Sequence, residues 1–557
     1  MSRLITSVAF LTLFAVAVSA QTLVHGGGVY GTWTLAGSPY LVLGDISVGS
    51  EHPGDTLLTI EPGVMVLFCG PYNMSAGPTL IAEGTETDSI IFTAADTATG
   101  WGGIIGVATS SRFSYCVVKY AKGDGYAGGG AGVSIYGASP QFDHCSFRNN
   151  SSTANGGGVS CQESEAVFNY CSFSNNTATG NGGGLYCDNA NPVLNYCTFT
   201  NNSAGGEGGG IYCTANWVAQ WGITLQNCNM DRNTAAGVGG GIECIDTKLQ
   251  IFNSTVTRNR AGQYGGGIYY RQFWAGGEGS QITNCMVADN QALGGTTGGV
   301  YIYTPSSPAL PLANCIFWGN QVSQYFSNYP QIDYSDVQGG WAGIGNLNRD
   351  PLFVAPEYYD FRLQWGSPCI DAGDPNPANN DPDGTRGDIG PFYYDQSVPV
   401  RALLTPHERS IVVPPNGGNF DYTLWLTNID PSNPEFTFWI DITLPYGPIF
   451  GPVLGPLTAQ LDSGVTDSRE RSQYVPARAP EGVYSYNAYA VVGADTSRDS
   501  FNFFKMEPAQ AGGIAGWRNV GESLEDLGDL HLTTSLPLDY PLQQNYPNPF
   551  NPTTALS

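Results

Sequence analysis

Charge is what this sequence has least of. Charged side chains make up 12% of the 557 residues, and lysine occurs only four times, at Lys119, Lys122, Lys248 and Lys505. The 21 cations face 47 carboxylates, for a formal net charge of −26. No basic cluster is available to hold a phosphate backbone or an anionic membrane, so neither nucleic acid nor a lipid surface is an expected partner. The 13 cysteines contain no C-x2-C pair, which removes the common structural zinc spacing. After residue 20, no run is apolar for long enough to predict a membrane-spanning helix.

Glycine is abundant instead, at 74 residues, and hydrophobic residues still reach 41%, too many for a disordered acidic chain. The composition is that of an all-β protein rich in tight turns. Residues 1–20 read as a signal peptide: Arg3 supplies the positive start, Leu4 to Val18 the apolar run, and Val18-Ser19-Ala20 the small-residue cleavage site. Secretion to the extracellular side is the expected location.

The strongest signal is an internal repeat. Gly156-Gly157-Gly158-Val159-Ser160-Cys161 recurs as GGGLYC ending at Cys187, GGGIYC ending at Cys213, GGGIEC ending at Cys244 and GGGIYY ending at Tyr270, with weaker copies ending at Ile135 and Ile302. A second motif alternates with it, as in Asn169-Tyr170-Cys171-Ser172-Phe173, and is centred on Cys145, Cys171, Cys197, Cys228, Ser254, Cys285 and Cys315. The first ladder advances by 26, 26, 26, 31, 26 and 32 residues, and all but one of the extra residues fall between the first and second motifs. Within each segment apolar and polar residues alternate, which is strand periodicity. A unit of this length with short strands separated by turns is one coil of a parallel β-solenoid. A polar ladder follows: Asn150, Asn176, Asn202, Asn233, Asn259, Asn290 and Asn320, expected to hydrogen-bond along the axis.

The paired GG[GA][IVL] and FxxN motifs over residues 130–320 resemble the repeats of the polymorphic membrane protein family, whose β-helical passengers are implicated in adhesion. Leu58 to Val64 and Ile81 to Phe92 look like opening coils of right-handed parallel β-helix proteins, and Asp350 to Arg386 looks like a closing segment of that superfamily, expected to cover the open end of the core. Val475 to Tyr484 is similar to accessory domains of secreted bacterial proteins. Alternating runs and turns from 398 to 505 predict an Ig-like sandwich. Tyr540 to Thr554, containing Asn545-Tyr546-Pro547-Asn548-Pro549-Phe550-Asn551-Pro552, resembles the start of a type IX secretion C-terminal sorting domain. That resemblance implies the type IX machinery as a partner and attachment to, or release from, the outer membrane surface.

The expected organisation is therefore a signal peptide (1–20), a right-handed parallel β-helix (21–392), an Ig-like β-sandwich (398–505), a linker (506–537) and a truncated sorting tail (538–557). The inward cysteines admit two readings, stacked buried thiols or bridges between rungs. Ser254 and Tyr270 take their place without breaking the repeat, which favours stacking.

Candidate chemistry is sparse. Two five-residue insertions carry Trp217 and Trp221 in one coil, and Phe273 and Trp274 two coils later. They enter the same arc and either form a sugar-stacking platform or fold back over the solenoid wall. The acidic run with Asp381, Asp383 and Asp388 partly resembles a Ca2+ loop, although its distal Glu is missing and a capped turn explains it as well. By resemblance to β-helical polysaccharide lyases, Lys119, Lys122 and Asp124, or Arg258, Arg260 and Arg271, would be a base set, with solvated turn charges as the plainer reading. His144 has no recurring partner in the sequence. No carboxylate pair recurs. The expected function is a non-catalytic adhesin or glycan-binding scaffold without an obligatory cofactor; a Ca2+-dependent polysaccharide lyase is the alternative.

Overall fold

The computed structural model describes residues 21–49, 54, 56–123, 130–216, 221–273, 278–295, 297–305, 310–321, 330–445, 447–508 and 516–524, with the backbone of 531–532. The expected signal peptide and sorting tail lie outside the described residues.

Residues 22–337 wind into a parallel β-helix with three walls. Wall 1 has 13 strands, from Thr22–Val24 to Asp336–Val337; wall 2 has 11, from Gly27–Val29 to Val300–Tyr303; wall 3 has 12, from Gly31–Trp33 to Ile332–Asp333. A narrow ledge of seven two-residue strands, Lys122–Gly123 to Gln291–Ala292, joins wall 1 to wall 2. Each complete coil runs wall 2, wall 3, wall 1, ledge.

The register is the one the spacing predicts. Ile135, Cys161, Cys187, Cys213, Cys244, Tyr270 and Ile302 pair in sequence along wall 2. Stacking like on like fills the core: Phe147, Phe173 and Phe199 stack at 4.9 and 4.3 Å between centroids, beside Phe142 and Phe168 at 5.0 Å. Side chains in these rows are essentially fully buried.

The glycine triplets have two separate duties. Gly182 opens its triplet at φ +68°, a left-handed conformation that glycine adopts without a Cβ clash. The next residue, Gly183, is constrained by proximity: a Cβ there would lie 2.4 Å from the Gly209 carbonyl oxygen of the following coil.

The asparagine ladder is continuous and buried. The Asn202 amide nitrogen donates to the Phe173 carbonyl (2.9 Å) and to Asn233 Oδ1 (2.9 Å), while its own Oδ1 accepts from the Asn176 backbone N–H (3.1 Å) and side chain (3.0 Å). Asn202→Ala removes all four bonds and leaves buried backbone groups unpaired. A loss of roughly 3 kcal/mol is expected, read as a shift of the urea midpoint at constant slope.

All 13 cysteines are free thiols. Their sulfurs act as donors at turns: Cys171 Sγ to the Asn169 carbonyl (3.3 Å) and the Phe142 carbonyl (3.6 Å), Cys197 Sγ to Asn195 (3.5 Å) and Phe168 (3.3 Å). Ser254 fits the same column because its hydroxyl donates to the Phe252 carbonyl (2.7 Å). Burial pushes the Cys116, Cys171, Cys228 and Cys285 thiols well above their ordinary range, which keeps them neutral.

The closing segment sits elsewhere than expected. Its hairpin, Phe353–Ala355 with Asp360–Leu363, and the following Cys369, Ile389, Phe392 and Tyr394 pack against Met286, Ala288 and Ile316. Those three alternate with the inward Val287 and Phe317, so the segment covers the outer face of wall 1. Trp341 packs against the solenoid core near its last coil.

Beyond it, two facing sheets form the Ig-like sandwich. One comprises Val400–Pro406, Gly418–Asn428, Thr466–Val475 and Arg518–Gly521. The other comprises Ile411–Val413, Asp495–Lys505, Gly482–Val492, Glu435–Thr443, Ile449–Gln460 and His531–Leu532. Two of these strands, Arg518–Gly521 and His531–Leu532, fall in the stretch expected as linker. They add to free sheet edges, where unpaired backbone groups accept a strand with little apolar patterning of its own.

Candidate functional site

In a solenoid, outward residues at matching positions of consecutive coils become neighbours. On wall 2 this builds an aromatic surface over the last two coils. Strands Ile268–Arg271 and Val300–Tyr303 pair with Tyr269 opposite Tyr301 and Arg271 opposite Tyr303. Tyr269 and Tyr301 stack at 5.0 Å and 3°. Tyr264 leans on Tyr301 at 5.3 Å, and Phe273 meets Tyr303 edge to face at 5.4 Å. The Arg271 guanidinium lies 5.1 Å from the Phe273 ring centre. Tyr264 and Phe273 are each 39% exposed, so the surface is open to solvent at both margins.

Among the four aromatic residues singled out in the insertions, Phe273 is thus part of this surface. Its backbone N–H donates to Asp246 Oδ1 (2.6 Å), which ties the insertion to the coil before. Trp221 is half-buried two coils earlier, and its carbonyl accepts from the Lys248 backbone N–H (3.0 Å) and the Thr247 hydroxyl (2.9 Å). Trp217 and Trp274 lie outside the described residues. The tyrosines of wall 2 were not foreseen as a site. Their signal was present in the repeat itself, at the Tyr186, Tyr212 and Tyr269 position before each ladder residue.

The same outward row continues through Tyr186, Tyr212, Glu243, Tyr269 and Tyr301. Glu243 is 1% exposed, and one of its carboxyl oxygens has no hydrogen-bond partner among the described residues. Burial, assisted by the Glu207 carboxylate, pushes its acid constant up to about 9 against a weaker pull from Arg271. The group is therefore a neutral acid at physiological pH. Walled in by its neighbours, it does not reach a substrate from this position.

A second aromatic row runs along the turn between walls 3 and 1. His144 stacks between Tyr115 and Tyr170 at 4.7 Å on each side, and Tyr170 stacks on Tyr196 at 4.8 Å. His144 therefore has partners after all, in tyrosines at its own position of adjacent coils.

The acidic run is a hydrogen-bonded turn system. Asp388 accepts from the backbone N–H groups of Asp371 (2.7 Å) and Tyr394 (2.5 Å), and Asp381 accepts from that of Asp388 (2.9 Å). Asp383 accepts from the Thr385 N–H and hydroxyl and from the Gln396 N–H. Burial raises Asp388 to about 7 and Asp381 to about 6. Among the described residues no group of three or more His, Cys, Asp or Glu side chains is arranged to hold a metal ion. The geometry thus gives the carboxylates of Asp381, Asp383 and Asp388 a turn-stabilising duty.

The basic candidates separate. Lys122 Nζ donates to the Ala98 carbonyl, and Asp124 lies outside the described residues. Arg271 belongs to the aromatic surface. Arg258 is engaged with Asp231, which is fully buried and also takes Arg232 and Arg409, the latter from the sandwich 178 residues on. Arg260 is exposed on the ledge.

No curated protein matches this chain. Residues 99–273 match the family described as the right-handed beta helix region, which identifies the coils carrying most of the aromatic surface as a right-handed parallel β-helix.

Proposed function

We propose that this protein is a secreted, non-catalytic glycan-binding scaffold that uses the outer face of wall 2 to hold a polysaccharide at the cell surface. The observation that carries the reading is the run of Tyr264, Tyr269, Tyr301, Tyr303 and Phe273 around Arg271. Aromatic edges and phenol hydroxyls offer sugars both C–H contact and hydrogen bonds. They recur along the axis at the strand spacing, roughly 4.8 Å per coil, so a ligand running along the axis meets a ring on each of the two coils. The signal-peptide pattern at 1–20 and the sorting-tail resemblance at 538–557 support export and surface attachment by the type IX route.

The test is a glycan array followed by titration calorimetry on the full chain. Binding is expected to at least one neutral polysaccharide, and Phe273→Ala with Tyr303→Ala is expected to weaken it at least tenfold while circular dichroism is unchanged. Neutral-polysaccharide binding at wild-type strength in this pair would overturn the reading. Release of unsaturated uronide product from an acidic polysaccharide would replace it with a lyase.

A further inference from the structure

The left-handed turn between wall 1 and the ledge is occupied in successive coils by Asn149, Asn175, Asn201, Arg232, Arg258, Asp289 and Gly319, with φ between 53° and 65°. Asparagine and glycine tolerate this conformation; arginine is strained in it. The sequence nevertheless changes from Asn to Arg at two consecutive rungs. On the neighbouring ledge Thr234, Arg260 and Gln291 pair in register, so Arg260 stands beside both turn arginines.

These residues line one open cavity of about 550 Å³, bounded by Arg232, Arg258, Arg260, Asp289, Gln291 and Gln321. Arg232 and Arg258 are held from behind. Both contact Asp231, and Arg258 lies 3.7 Å from the Tyr359 ring centre, with Arg232 at 5.4 Å. Among the described residues Arg258 Nη1 is buried without a hydrogen-bond partner. Asp231 is shared among Arg232, Arg258 and Arg409, so the local balance is positive in a chain whose net charge is −26.

We infer that this cavity is a binding subsite for an acidic sugar, in which the arginines take a carboxylate or sulfate group and Asp289, Gln291 and Gln321 take hydroxyls. Guanidinium groups match both anions with paired hydrogen bonds. The cavity has the volume of a small-ligand site and mixes charged with neutral hydrogen-bonding groups, as a hydroxyl-rich ligand requires. The surrounding negative field disfavours a long, densely charged polymer, so an acidic unit set within a mostly neutral glycan suits the site better. The inference rests on the glycan-binding reading but uses a different surface from the wall-2 aromatics.

The experiment titrates the full chain with oligogalacturonate, a sulfated oligosaccharide and a neutral malto-oligosaccharide, for the wild type, Arg260→Gln and the Phe273→Ala/Tyr303→Ala pair. Arg260 makes no contact with Asp231, so its replacement leaves the buried ion cluster intact. Expected is binding of at least one acidic oligosaccharide that weakens with salt and falls at least tenfold in Arg260→Gln, with the aromatic pair retaining it. Equal acidic-sugar binding by wild type and Arg260→Gln, or none by either, overturns the subsite. Neutral-glycan binding lost only in the aromatic pair would then leave the wall-2 reading standing alone.

Discussion

Replacing Glu243 by Gln is expected to stabilise the protein, by an amount that grows with pH. The ordinary carboxyl constant is 4.5, and the buried site raises it to about 9. Below pH 4.5 the folded and unfolded chains both carry the proton, and the substitution changes little. Above it the unfolded chain releases the proton and the folded one keeps it, so folding is disfavoured by about 1.4 kcal/mol per pH unit until the folded group also ionises. The gain from Glu243→Gln is therefore roughly 3 kcal/mol at pH 7 and larger at pH 8.5. Urea midpoints of both proteins from pH 4 to 9 check it. Parallel curves would show that Glu243 is charged in the folded state, with the Arg271 attraction outweighing burial.

Removing Asp231 is expected to cost about 3–5 kcal/mol. Its carboxylate is fully buried and accepts from Arg258 Nη2 (2.5 Å), Arg232 Nε (3.0 Å), Arg409 Nη1 (2.5 Å) and the Thr257 hydroxyl (3.0 Å). Burial lowers the constants of Arg258 and Arg409, the latter to about 10, so these cations have lost hydration that Asp231 replaces. Asp231→Ala leaves them buried and unpaired. The ring of Tyr359, which lies 3.7 Å from Arg258 and 4.9 Å from Arg409, is too weak a partner to compensate. Because Arg409 comes from the sandwich and Tyr359 from the closing hairpin, the loss should also loosen the sandwich from the solenoid. Chemical denaturation measures the first effect; protease cleavage at 392–400, faster in Asp231→Ala, measures the second. A second contact, Arg362 to Asp360 (2.6 Å) and Asp499 (2.7 Å), keeps the hairpin on the sandwich in the variant.

How legible these features were depended on sequence distance. The Asn202 and Cys187 columns could be read because each residue recurs 26 or 31 positions from its partner, and parallel in-register stacking makes like residues touch. The wall-2 tyrosines obey the same rule, but an outward Tyr is ordinary strand patterning and carries no mark of a site; of the insertion aromatics only Phe273 joins the surface within the described residues. Arg258 and Arg260 read as solvated turn charges. Arg260 is indeed exposed on the ledge, but Arg258 is buried against Asp231 and Tyr359, because the closing segment folds back on wall 1.

By itself the sequence determined the coil length, the inward rows, the asparagine and thiol columns and the sandwich that follows. All of these are set by local periodicity and by contacts with the next coil. Only the tertiary structure decided that the closing segment lies on the outside of wall 1, that Arg409 reaches Asp231, and that Glu243 stays neutral among tyrosines. The first two depend on which surfaces dock against the solenoid, and the third on how much water the side chains of adjacent coils exclude. No repeat spacing encodes either.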